Sequence, residues 1–231
     1  MGKQAATKVL AGAKGTGATG KFVPEAPTLR LVSSPKRQRI LEGMLEAVGT
    51  SGYDAASVRM VLASTGLYRQ AFYDNFADKD VCYLEAFDFG VAQLEALAIA
   101  ATEDEESWQG KLRAGLRSFL GALDGDPVLG RALIVEVHAA GAAALQSRSD
   151  AMKRVADFID SARQASGGSE APPPIASEGI VAGMHAVVHA KLAAGEESGF
   201  RELLPDFMYF AVLPYFGADV ADAEMKRAAR A

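Results

Sequence analysis

The stretch GLYRQAFYDNFADKD, residues 66–80, sets an arginine beside a glutamine and follows them with two phenylalanines, a tyrosine and a lysine. Arg69 and Gln70 are residue types able to pair with guanine and adenine edges, while Phe72, Tyr73 and Phe76 equally suit a packed core, so the stretch leaves open whether one face of it meets something outside the protein. Other chemistry is sparse. His185 and His189 stand four apart and share a helical face, but a zinc site takes three or four ligands, and no cysteine or acid flanks them. The expectation is therefore no metal, with these histidines at the surface or an interface. Residues 15–21 read GTGATGK, the spacing of a phosphate-binding loop. Phe22 stands where a hydroxyl should reach magnesium, no strand pattern precedes the loop, and Pro24 obstructs the helix that should follow, so a flexible tail is the better reading. No Ser/His/Asp or paired-carboxylate constellation can be assembled. The sequence thus gives no catalytic residue, no cofactor and no enzyme.

The elements that must position Arg69 and Gln70 begin at Ser34, which suits a helix cap, with Pro35 at the first helical position. Ile40, Leu41, Met44, Leu45 and Val48 then recur at three- and four-residue spacing until the glycines at 49 and 52. Ser57 is placed to cap a short second helix with Val58, Val61 and Leu62 facing inward, ended by Thr65 and Gly66. A third helix is expected over 69–76 after the link Leu67-Tyr68. A long fourth helix follows, with Val81, Leu84, Phe87, Val91, Leu94 and Leu97 inward, fading at the acidic run 103–106. Further helices are expected over 107–123, 127–145, 150–165, 175–194 and 198–216, about nine in total. No segment alternates at period two, so the expected class is all-α.

The tail 1–33, rich in Gly, Ala, Thr and Lys, shows no sustained period and reads as disordered. The net charge of −5 conceals a division: residues 1–80 carry net +4 and residues 81–231 net −9. Most of the positive excess precedes residue 40, an electrostatic arm suited to a polyanion. No apolar stretch is long enough to span a bilayer, no secretory signal is seen, and Cys82 has no second cysteine to bridge. These features favour the cytoplasm and exclude a membrane partner.

The local order of Ser57-Val58-Arg59-Met60-Val61-Leu62, Gly66-Leu67-Tyr68 and Phe72-Tyr73-Asp74-Asn75-Phe76-Ala77-Asp78-Lys79-Asp80 resembles the N-terminal domain of TetR-type transcriptional repressors, over residues 36 to 85. The resemblance implies a three-helix helix-turn-helix domain at 34–80, and at 81–231 a larger helical domain for effector binding and dimerisation. It implies a homodimer on palindromic operator DNA, released by a small molecule. By family position Phe72 and Phe76 face the small core, while Tyr73 and Lys79 match phosphate contacts. Arg69 and Gln70 are the candidates for base edges. Tyr68 and Asn75 are placed to touch base or backbone, Ser57 to seat a phosphate on the second helix, and Arg59 to add charge. Tyr68 departs from the family, which has a small capping hydroxyl there, and Leu62 stands where Ala is usual.

For the larger domain the resemblance implies a pocket, with Phe89, Trp108, Phe119, His138, Met152, Phe158 and Met184 as candidate lining. Such residues suit an apolar or aromatic effector, although each also fits plain core. The helices 175–194 and 198–216 are the family's usual dimer surface. Ile180, Met184, Val187, Val188, Leu192, Leu204, Met208, Phe210, Val212 and Leu213 supply its apolar area. Two other classes remain open at this point: a helical enzyme or carrier with the small domain as a structural cap, and an architectural DNA-binding protein without effector.

Overall fold

A computed structural model describes residues 34–167 and 172–230, and every described regular element is helical. The phosphate-loop spacing at 15–21 and the reading of 1–33 as a disordered arm lie outside the described residues. The chain runs α1 (Pro35–Ser51), α2 (Val58–Thr65), α3 (Arg69–Tyr73), α4 (Lys79–Ala100), α5 (Trp108–Gly125) and α6 (Pro127–Ile134). A 3-10 turn (Glu136–Ala139) leads to α7 (Ala142–Asp160), α8 (Ala162–Ala165) and α9 (Ile175–Ala193). A second 3-10 turn (Arg201–Leu203) leads to α10 (Leu204–Phe216) and α11 (Ala218–Ala228).

The first helix starts as its sequence requires. Ser34 Oγ accepts from the Arg37 N–H at 3.2 Å, and Pro35 occupies a position whose N–H no helix would use. Its apolar stripe, Ile40, Leu41, Met44, Leu45 and Val48, is wholly buried. That stripe packs on α2, α4 and α6, so α1 joins the short helices to the rest of the chain. Gly66 ends α2 at φ 66°, a left-handed turn that costs other residues more, and re-aims the chain into α3 after two residues. Phe72 and Phe76 are buried against each other, anchoring α3 by one side only.

Three expectations need correction. The fourth helix buries Cys82, Tyr83, Ala86, Phe87, Gly90 and Leu94, while Val81 and Leu97 are exposed. The α4 sequence is apolar nearly all round, so period alone does not choose a face, and packing on α1, α5, α6 and α7 decides. The single helix over 127–145 is broken by the first 3-10 turn and by Gly141, whose φ of 87° no helix accommodates. The apolar period hides that break, because Leu133, Val137 and Ala144 are all buried through it. Finally, α11 went unforeseen. Five of its eleven residues are charged, yet Glu224 is buried, accepting from Arg113 of α5 and from Arg227. With α8 and α11, the described residues hold eleven α-helices where about nine were expected.

Candidate nucleic-acid interface

The short helices have two sides. Phe72 and Phe76 point inward, and Arg59, Tyr68, Arg69, Gln70 and Tyr73 are exposed on α2, the turn and α3. Tyr68 sits at the N-cap of α3 with extended backbone and makes no capping hydrogen bond; the residue is 87% exposed. A small hydroxyl at this position could satisfy an α3 amide, whereas a phenol ring cannot fold back that far, so it stands in solvent at the head of the helix. Arg69 lays its guanidinium 5.4 Å from the Tyr73 ring centre, so the two candidate contacts form one surface unit. Gln70 Nε2 donates to Asp74 Oδ1 at 2.7 Å one turn on.

The other candidates are tied into the fold. Asn75 Nδ2 donates to the Ala71 carbonyl at 2.7 Å, and the Asn75 carbonyl accepts from Arg37 at 2.8 Å. Lys79 Nζ donates to the Tyr53 carbonyl at 2.9 Å and stands 4.2 Å above the Tyr53 ring. Ser57 occupies the N-cap of α2, but its hydroxyl makes no capping bond, contrary to the expectation from its position. That leaves the hydroxyl and the first α2 amides available to an outside acceptor. Arg37 bonds Glu85 at 2.5 Å and covers Phe76, and Arg39 donates to the Thr65 carbonyl. Two of the early basic residues thus fix α1 to its neighbours.

Tyr53 is the joint that sequence reasoning missed. Its N–H donates to Glu136 Oε2 at 2.8 Å, and its hydroxyl donates to Asp80 at 2.6 Å. Burial and the Asp80 carboxylate push its phenol well above the usual tyrosine range. Glu136 also accepts from Arg131 at 3.3 Å. The first 3-10 turn therefore holds the corner between α1 and α2, and Tyr83 Oη adds a bond from α4 to the Ala132 carbonyl at 2.8 Å. Residues 83 apart make the first contact, a separation no local period exposes.

The expected effector residues divide. Trp108 and Phe158 stack, ring centres 6.0 Å apart, with Tyr215 and Phe216 beside Trp108. Phe89, Phe119 and Met152 are half-buried against the core, and Met184 is buried in it. His138 is exposed and meets the His189 ring edge-on at 5.3 Å. Two surface clefts lie elsewhere, one along Arg39, Glu42, Gly43, Glu46, Ser64 and Thr65, the other beside Gly49, Val128 and Leu192. Between α4 and α7, Glu95 Oε1 accepts from Arg154 at 2.9 Å, while buried Glu95 Oε2 has no hydrogen-bond partner. Burial pushes the Glu95 carboxyl upward against the pull of Arg154. No sequence period marks this pair.

His185 is held low, to about 4, by burial first and then by Arg148 and the two other histidines. Unfolded, the same imidazole titrates near 6.5, so it binds its proton more readily in the unfolded chain. Its contribution to stability is complete above pH 6.5 and is lost as pH falls toward 4. The unfolding midpoint in urea is expected to drop between pH 7 and pH 5, and His185→Gln to flatten that drop; parallel profiles for the two proteins would count against it. Among the described residues, no group of three or more His, Cys, Asp or Glu side chains could hold a metal ion, and no helix is long and apolar enough to cross a membrane.

Comparison with solved structures places the architecture. The fatty acid degradation regulator FadR of Bacillus halodurans superposes with a TM-score of 0.67 at 14% identity, covering 78% of this chain and 95% of that one. FadR of Bacillus subtilis, in complex with stearoyl-CoA, gives 0.65 at 16% identity over 78% of this chain and 98% of its own. TylP, a TetR regulator from Streptomyces fradiae, gives 0.59 at 18% identity over 84% and 97%. The fold is that of TetR-family regulators. No family model matches the sequence, and no curated protein matches it either. The likeness is thus one of three-dimensional layout, and a TetR-like chain can carry it with fewer than one residue in five held in common.

Proposed function

We propose that this TetR-like chain is a DNA-binding transcriptional regulator, a repressor that binds a palindromic operator as a homodimer and is released by a small effector. The observation that carries the reading is the two-sidedness of α3: buried Phe72 on one face, exposed Arg69, Gln70 and Tyr73 on the other. Residues 34–80 form the DNA-reading domain in this account, and residues 81–231 the effector and dimerisation domain. Arg69 and Gln70 meet base edges, with Tyr68 beside them at the helix head. Tyr73, Ser57, Arg59 and Lys79 engage phosphates, and Asn75 keeps the end of α3 in place. Lys79 must trade its bond to the Tyr53 carbonyl for a phosphate, or share it. The effector reading takes the stacked Trp108 and Phe158 as candidate apolar contacts and the Glu95–Arg154 pair as a candidate polar anchor, and its support is the likeness of the fold to that of effector-holding regulators. A long-chain acyl thioester, which the Bacillus subtilis FadR holds, is a reasonable first compound to try.

Selection of bound sequences from random duplex DNA by the purified protein tests the reading directly. A two-fold motif supports both function and symmetry; no enrichment removes the proposal. Arg69→Ala is expected to relax base preference by about 1–3 kcal/mol at one position of each half-site. Lys79→Ala is expected to weaken binding on all sequences and lower the salt slope by about one. Equal loss on selected and random DNA for Arg69→Ala would contradict its base contact. Thermal unfolding of Lys79→Ala is measured alongside, since the variant also loses the tie to Tyr53.

A further inference from the structure

A cluster of nitrogen-bearing side chains lies at the seam of α7, α9 and the first 3-10 turn. Arg148 Nη2 is 3.3 Å from His185 Nδ1. One turn along α9 the His189 ring lies 6.4 Å from that of His185, nearly parallel to it, and His138 meets His189 from the side at 5.3 Å. Arg148 Nε is buried without a hydrogen-bond partner, and the side chain forms no ion pair among the described residues. Burial alone lowers the guanidinium, and no carboxylate acts on it. The charged neighbours that act on His185 are likewise Arg148, His189 and His138, none of them acidic.

A half-buried guanidinium with no counter-charge is unfavourable, and a protein in which α7 otherwise pairs Arg154 with Glu95 and Lys153 with Asp157 has left this one open. A metal cation would meet repulsion from Arg148, so three nearby imidazoles do not make a zinc site here. We propose that Arg148, His185, His189 and His138 form a binding site for a small oxyanion, a carboxylate or a phosphate. Arginine can only donate, so His185 Nδ1 accepts and its proton sits on Nε2, which becomes a second donor. Arg148 supplies the charge and a planar fork matched to two oxygens. His189 and His138 close the outer side, His138 from an exposed position that leaves the anion a way in. The site rests on no part of the DNA-binding reading, and of the residues assigned to the effector it uses only His138.

Side-chain NMR of the three histidines in the full-length protein tests it, without DNA, at pH 7. Sodium phosphate and sodium succinate are titrated separately against sodium chloride at matched ionic strength. Saturable shifts of His185 and His189 with phosphate or succinate, and none with chloride, are expected, and the tighter of the two anions identifies the ligand chemistry. Arg148→Gln is expected to weaken that anion about tenfold or more, and His189→Asn to weaken it several-fold. The second substitution carries the test if the first does not fold. Absence of saturation by either anion, or unchanged affinity in the folded variants, overturns the site. Stoichiometric uptake of zinc chloride by the three histidines with neither anion bound overturns it in favour of a metal.

Discussion

Phe210→Glu is expected to turn the protein monomeric and to lower its affinity for a selected two-fold DNA site by about a thousandfold or more. Phe210 lies on α10 with 46% of its surface exposed, and its ring covers Gly183 of α9, where a Cβ would come within 3.1 Å of it. Val187 is 43% exposed on the same helix, with Ala182, Ala186 and Ala190 also exposed. This face of small and apolar groups on two packed helices is suited to a second copy of the chain, four helices closing on one another. A glutamate placed there would be buried in such an interface without a cation to pair with, which costs several kcal/mol. One helix-turn-helix alone reaches only half of a two-fold site, so the loss of the dimer removes the gap between specific and nonspecific binding. Light scattering and a DNA titration measure the two effects. A variant that stays dimeric, or a monomer that binds the two-fold site undiminished, defeats the assignment. Because Phe210 is close to half exposed, the monomer should stay folded, its unfolding temperature lowered by the loss of the partner and not by a collapsed core.

The same face shows how far sequence reasoning reached. Of the ten apolar residues of α9 and α10 that the sequence offers for a dimer surface, seven, Ile180, Met184, Val188, Leu192, Leu204, Met208 and Val212, are buried within the single chain. Leu213 is half-buried, and only Val187 and Phe210 are freely exposed. Apolar character says that a residue must leave water, not which surface it meets, and both helices are apolar on more than one side. The helix-turn-helix stretch is easier. There Ser34, Pro35, Gly52 and Gly66 punctuate short helices by local rules, and the placement of α1, α2 and the start of α3 follows from neighbours in sequence. Long-range polar contacts carry no such mark. Tyr53 with Glu136, Glu95 with Arg154 and Arg148 with His185 join residues 83, 59 and 37 apart, and each pair depends on how helices cross. The charged residues of α11 give no sign of a buried partner until Arg113 is brought against Glu224. These contacts are where the fold adds to the sequence, and they lie between the first three helices and the rest of the chain or within its interior.

Phe72→Ala should abolish DNA binding on every sequence, whereas Tyr73→Phe, one position away, should weaken it and leave the fold intact. Phe72 is fully buried, 5.7 Å from the Phe76 ring and edge-on to Tyr73 at 5.4 Å. Truncating such an aromatic costs about 3–5 kcal/mol, more than a five-residue helix held from one side can recover by its own hydrogen bonds. α3 is then expected to detach, taking Arg69, Gln70 and Tyr73 out of register together, and amide exchange in residues 69–76 should rise ahead of that in α9 and α10. Tyr73→Phe keeps the ring under Arg69 and removes only the hydroxyl, so stability should change by less than about 0.5 kcal/mol. Its effect on affinity should be the same on selected and random duplexes, as for any phosphate contact. The pair of variants separates the two faces of one helix. If Phe72→Ala retains sequence-selective binding, α3 is not the reading element; if Tyr73→Phe alters base preference, the hydroxyl meets an edge and not a phosphate.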